Sequence, residues 1–316
     1  MSCQLFGMSL AFLPSFSKPC QFSKVISLKL QSMNDEYYDD SNNDSDDDFM
    51  RSLNARVQQV QLQETRLPIV NIDSILPRQV IKLEIANDET FQRLIQSLIQ
   101  KERPVMGMVG KVRLSTGEMV PLQNGCEVEV VETPEILTGG NAPGDDISAV
   151  RVTLKAGRRF RMLDEFYQAP EGWAEAKVEY LDSAQEQEEE EMESPQGAMA
   201  VFRAMETARQ FTAPNMNMPD GLSLVDRWIE LARVNERTPG QIDELLFDLG
   251  PIPPEEDPSD RAFWVAALIN PLPGLGVAME IRPLLLMART AEERVGIALK
   301  GILESIKHMD GSAPLF

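Results

Sequence analysis

Val150-Arg151-Val152-Thr153-Leu154-Lys155-Ala156-Gly157-Arg158-Arg159-Phe160-Arg161-Met162-Leu163 is the stretch on which the fold assignment turns. Its first half alternates: Val150, Val152 and Leu154 against Arg151, Thr153 and Lys155. A period of two puts one set on a buried sheet face and the other toward solvent. Beyond Gly157 the same rule places Arg159 and Arg161 on one face of a strand and Phe160 and Met162 on the other.

Outward from this stretch the rhythm persists. Ile81, Leu83 and Ile85 alternate with Lys82 and Glu84, and Cys126-Glu127-Val128-Glu129-Val130 does the same. Breaks such as Ser115-Thr116-Gly117, Asn124-Gly125 and residues 139–144 read as turns. One segment departs: Phe91, Leu94, Ile95, Leu98 and Ile99 recur at helical spacing behind the capping candidates Asn87 and Asp88. Residues 65–181 therefore predict a curled, strand-rich domain with one inserted helix.

From Gln196 the period becomes helical. Val201, Met205, Ala208 and Phe211 predict one helix, Leu222, Val225, Trp228, Ile229 and Ala232 a second, and residues 238–249 a third. Asp257-Pro258-Ser259-Asp260 is a helix start, with a capping acid and a proline at the first helical position. The last helix opens on a capping box, Thr290-Ala291-Glu292-Glu293, and continues with Val295, Leu299, Ile302 and Ile306.

The net charge of −20 is concentrated. Residues 35–48 hold eight acids and residues 186–193 six, with no Lys or Arg in either run, so the rest of the chain carries −6. Blocks of like charge repel themselves and stay solvated, which predicts disordered segments at 34–64 and 182–195. Both runs oppose nucleic-acid binding, which needs a basic footprint. Residues 1–33 contain three lysines, seven serines and no acid, the composition of an organellar leader, and Leu10-Ala11-Phe12-Leu13-Pro14 resembles a plastid-import junction; the expected compartment is the plastid, or otherwise another organelle or the cytoplasm. No apolar run is long enough to predict a membrane span. Cys126 is the only cysteine outside the leader, which favours a reducing compartment and a packing role.

Chemistry-bearing constellations are scarce. His308 is the only histidine and falls in the last helix, where a cation suits the C-terminal carbonyls, so no Ser–His or Cys–His pair and no His/Cys zinc set is expected. Gly107-Met108-Val109-Gly110-Lys111 has two residues between its glycines and no Ser or Thr after the lysine, so it is not a phosphate loop. It reads as a strand whose glycines permit close packing. Catalytic, cofactor and metal residues are therefore expected to be none. Arg158, Arg159 and Arg161 form a basic cluster, read as ion-paired with Asp164, Glu165 and Glu171 and alternatively as an RNA contact. Trp173 and Trp264 are candidate groove contacts, although each sits in an apolar pattern typical of core.

Taken in order, these pieces resemble the Lon N-terminal (substrate-binding) domain family, over about residues 65–308. The resemblance rests on Leu67-Pro68-Ile69-Val70, the helix at Phe91–Ile99, and Val105-Met106-Gly107-Met108-Val109. Gly157-Arg158-Arg159-Phe160 looks like the family's Gly-x-x-Arg-Phe strand, although Arg159 directly precedes Phe160 only two places after Gly157. Tyr167–Trp173, Ala174–Leu181, Phe263–Pro273, Glu280–Leu285 and the final helix follow in the family's order. The resemblance implies an α+β fold: a PUA-like β-rich pseudo-barrel at 65–181, then a C-terminal α-helical bundle at 196–310. It implies Gly157, Arg159 and Phe160 as structural motif residues. It also implies a non-catalytic module that binds protein or peptide clients, in company with a protease or assembly partner. The ATPase and Ser–Lys protease domains of a full Lon protease have no counterpart in this sequence.

Overall fold

Among the described residues eight strands come first, interrupted by one helix, and six helices follow, a mixed α and β arrangement as the sequence predicts. The strands are β1 (Thr65–Asn71), β2 (Val80–Ala86), β3 (Val105–Arg113), β4 (Met119–Val130), β5 (Glu135–Thr138), β6 (Ile147–Met162), β7 (Tyr167–Gln168) and β8 (Ala174–Tyr180). The helices are α1 (Glu89–Ile99), α2 (Pro195–Arg209), α3 (Leu224–Val234), α4 (Gln241–Leu249), α5 (Pro258–Ile269), α6 (Arg282–Met287) and α7 (Ala291–Met309). This computed structural model describes residues 65–312, apart from 87, 115, 139–146, 182–187, 189–190, 217–220 and 273. The expected leader at 1–33 and acidic linker at 34–64 lie outside the described residues. Thr65–Val112 and Met119–Phe316 form one compact unit.

Five of the strands close on themselves. β1 pairs with β3 and with β8, β3 with β4, β4 with β6, and β6 with β8. Closure leaves no open edge among these five. β2 and β5 flank the first half of β6, and β7 pairs with β8.

β6 explains why there are two hydrophobic cores. Between Cys126↔Arg159 and Val128↔Ala156, one residue of β4 faces two of β6, Gly157 and Arg158. That is a bulge, and an extra residue reverses which parity faces which side. Before it, Val150, Val152, Leu154 and Ala156 join the large core shared with α1 and the later helices. After it, Phe160 and Met162 enter a small core with Leu67, Ile69, Val109, Ala176 and Val178. The apolar residues of this segment thus belong to two cores and not to the single face that uninterrupted alternation implies.

The glycines of β3 close the small core, as the close-packing expectation had it. A side chain at Gly107 would meet Ile69 at 2.5 Å and Phe160 at 2.8 Å, and one at Gly110 would collide with Ser74. Helix starts follow local chemistry. Asp88 accepts the Phe91 N–H at 2.9 Å, Asp257 the Asp260 N–H at 3.1 Å, and Thr290 the Glu293 N–H at 3.2 Å. Glu293 accepts in return from Arg289 N–H at 2.8 Å, one residue earlier than a capping box has it. The third predicted helix starts at Gln241, not at 238, because Gly240 takes a left-handed φ of 84° just before it.

The acidic run at 186–193 requires a correction where it is described. Glu188 is buried, and Gly197 lies so close to the Glu191 carbonyl that a side chain there would collide. This part of the run is packed against the helices and is not a solvated tether.

Candidate functional site

Helix α6 is six residues long and divides its apolar side chains between two directions. Leu285 and Leu286 are fully buried, whereas Leu284 is 48% and Met287 53% exposed. A helix buries one stripe only, so Arg282-Pro283-Leu284-Leu285-Leu286-Met287 carries more apolar surface than its core contact uses. The surplus faces a groove of about 490 Å³ against α7, completed by Ala288, Gly296, Ile297 and Lys300.

Two glycines of α7 do different work, one in the core and one at the groove. A side chain at Gly301 would meet Ile281 at 2.7 Å and Ile269 at 2.9 Å, so Gly301 lets α7 lie tightly on the ends of its neighbours. Gly296 has open space where its side chain would be and lines the groove. Beside it, Arg203 on α2 forms a bidentate pair with Glu292 on the rim, at 2.9 and 3.0 Å. The same helix presents Met199 (58% exposed) and Phe202 (55% exposed).

The basic cluster is differently employed. Glu127, buried on β4, accepts from Arg103 at 2.8 Å, Arg158 at 3.1 Å and the Tyr180 hydroxyl. Arg158 also stacks 3.7 Å over the Tyr180 ring. Burial together with the Glu127 bond pushes the Tyr180 hydroxyl well above its usual range. Arg161 pairs with Glu179 at 2.6 Å. Arg158 and Arg161 are ion-paired, as the reading of the cluster expects, with Glu127 and Glu179 as their carboxylates. The bulge is the reason, because it turns Arg158 toward Glu127, which strict alternation had placed on the polar face. Arg159 is buried, with its guanidinium 5.1 Å over the Phe263 ring of α5. Phe160 is fully buried against Gly107 and Gly125, and Gly157 sits in the bulge without a close contact.

Both candidate groove tryptophans are core residues. Trp173 is 9% exposed and donates to Glu175 at 3.1 Å; Trp264 is 4% exposed and donates to the Gly250 carbonyl at 3.0 Å. Neither lines the α6–α7 groove. Cys126 is fully buried, and burial pushes its thiol up to about 12, so it is no nucleophile at neutral pH. Among the described residues, no three His, Cys, Asp or Glu side chains converge as a metal site would, and no helix is long and apolar enough to cross a membrane. A smaller cavity of about 140 Å³ lies at Asn270, Gly276, Glu280 and Arg282. There Arg282 is clamped by Glu280 at 2.8 Å and reaches Asp73 at 3.4 Å, a joint between the start of α6 and the segment after β1. Burial raises the Asp73 carboxyl against the opposing pull of Arg282.

The groove residues were not singled out from sequence. The available signals were the apolar surplus of residues 283–287 and a glycine, Gly296, interrupting an otherwise good helix former.

No protein-family model matches this chain, and no curated protein does. Among solved structures it is similar to the N terminal domain of Mycobacterium avium complex Lon protease, at 10% identity and a TM-score of 0.40, over 75% of this chain and 97% of that one. It is also similar to a Lon N-terminal domain protein from Xanthomonas campestris, at 16% identity and a TM-score of 0.30, over 58% of this chain and 98% of that one. Both of these solved structures are Lon N-terminal domains by name.

Proposed function

We propose that this chain is a non-catalytic module that holds exposed apolar segments of client proteins, seated in the groove between α6 and α7. The observation that carries the reading is the groove itself: apolar walls from Leu284, Met287 and Ile297, an open floor at Gly296, and a neighbouring helix, tied to the rim by Arg203–Glu292, that also exposes Met199 and Phe202. Methionine is a soft, unbranched side chain and adapts to varied partners. On this reading the closed strands are the PUA-like β-domain of 65–181 and the helices of 196–310 a bundle that presents the groove. The leader makes the plastid the proposed compartment, and a protease or assembly partner the proposed destination of the client.

The reading requires neither ATP nor peptide hydrolysis. An RNA-binding alternative through Arg158–Arg161 is weakened, because Arg158 and Arg161 are engaged by carboxylates and Arg159 is buried. The test is a titration of the purified protein with a reduced, carboxymethylated unfolded polypeptide and with the same polypeptide in its native fold. Saturable binding of the unfolded form alone supports the proposal. Equal binding of both, or of neither, contradicts it, as does robust ATP or peptide turnover.

A further inference from the structure

The charges around the groove specify more than apolarity, on the understanding that the groove is the client seat proposed above. Its lining carries two carboxylates: Glu292 is neutralised by Arg203, whereas Glu293 accepts only the uncharged Arg289 N–H at 2.8 Å and keeps its charge. Glu304, one turn beyond Lys300, is taken by Lys307 at 3.1 Å. Two cations outnumber that one remaining carboxylate. Lys300 lines the groove, and Arg289 directly follows the groove residue Ala288; both side chains are exposed, and neither has an ion-pair partner among the described residues. Ala291 and Lys300 are nine helical steps apart, about 13.5 Å at 1.5 Å per step. That stretch of α7, which ends at Lys300 and starts two residues after Arg289, matches about four extended residues in length.

We propose that the client segment is an apolar stretch flanked by acidic residues, with its apolar side chains in the groove and its carboxylates on Arg289 and Lys300. The overall charge of −20 argues for the reverse, since long-range attraction favours basic segments. Local contact decides specificity once the segment is seated, because an exposed ion pair acts at short range and the excess charge of this chain sits in its acidic runs.

The test uses three peptides that share one four-residue aliphatic and aromatic core and differ only in flanks: aspartate, serine or lysine on both sides. Binding to the full chain is followed by fluorescence anisotropy at low and moderate salt. The expected order is aspartate, then serine, then lysine, with each favourable contact worth about two- to fivefold and the differences shrinking as salt rises. The double variant Arg289→Glu, Lys300→Glu, whose exposed positions leave the fold intact, is expected to invert the order. Tightest binding by the lysine-flanked peptide, equal binding by all three, or an order unmoved by the double variant overturns the charge assignment while leaving the apolar groove in place. No binding by any of the three removes the groove reading, and this inference with it.

Discussion

The Glu188 carboxylate accepts the backbone N–H of Ser259 at 3.0 Å, joining the acidic run to the first turn of α5. The carboxyl is pushed up to about 7, chiefly by burial, with Asp257 adding to the rise and the Ser259 bonds and Arg294 opposing it. Glu191, Glu293 and Asp260 are the further carboxylates around these helix starts.

The sign of the resulting pH dependence is fixed. Because the folded pKa lies above the ordinary value of 4.5, the folded protein holds this proton more tightly, and the contribution is complete below about 4.5. It is lost as pH rises through about 7 and is flat above that. Glu188→Gln fixes the neutral form. Thermal melts across this window should therefore show the unsubstituted chain losing more stability with rising pH than the variant. Parallel curves would refute the assignment.

Gly107 predicts a packing cost. A methyl there meets Ile69 at 2.5 Å and Phe160 at 2.8 Å inside a closed set of strands, so buried side chains must shift to admit it. Gly107→Ala should destabilise by about 1–3 kcal/mol in denaturant titrations. An unchanged midpoint would mean that the small core is looser than described.

Trp264 separates core from site. Trp264→Phe removes the bond to the Gly250 carbonyl and leaves a small void, so a loss of about 1–2 kcal/mol is expected with client affinity unchanged. A large loss of affinity at retained stability would return Trp264 to the binding surface.

Local chemistry made much of the fold legible. The Asp88, Asp257 and Thr290 caps act over three residues, and the alternation at Val150–Lys155 is a property of one strand; both can be seen without knowing what lies across the sheet. What could not be read depends on distant partners. The bulge at Gly157 and Arg158 exists only relative to β4, and it decides that Phe160 and Val152 serve different cores. Glu188 looked solvated because its neighbours are acids, whereas its burial is set by α5, 71 residues away. The site was the least legible part. Trp173 and Trp264 were the natural candidates by size, and large aromatic side chains are the ones a core claims first. The groove is instead built from a surplus on α6 and a missing side chain at Gly296.

Gly296 therefore offers the most direct measurement. Open space lies beyond it, so Gly296→Ala should raise stability by up to about 1 kcal/mol through helix propensity and leave client binding intact. Gly296→Phe should fold as well but fill the groove. Displacing one apolar anchor costs about 1.5–3 kcal/mol of binding, about ten- to a hundredfold in affinity for the unfolded polypeptide. Retention of full affinity by Gly296→Phe, at unchanged stability, would contradict the groove as the client seat.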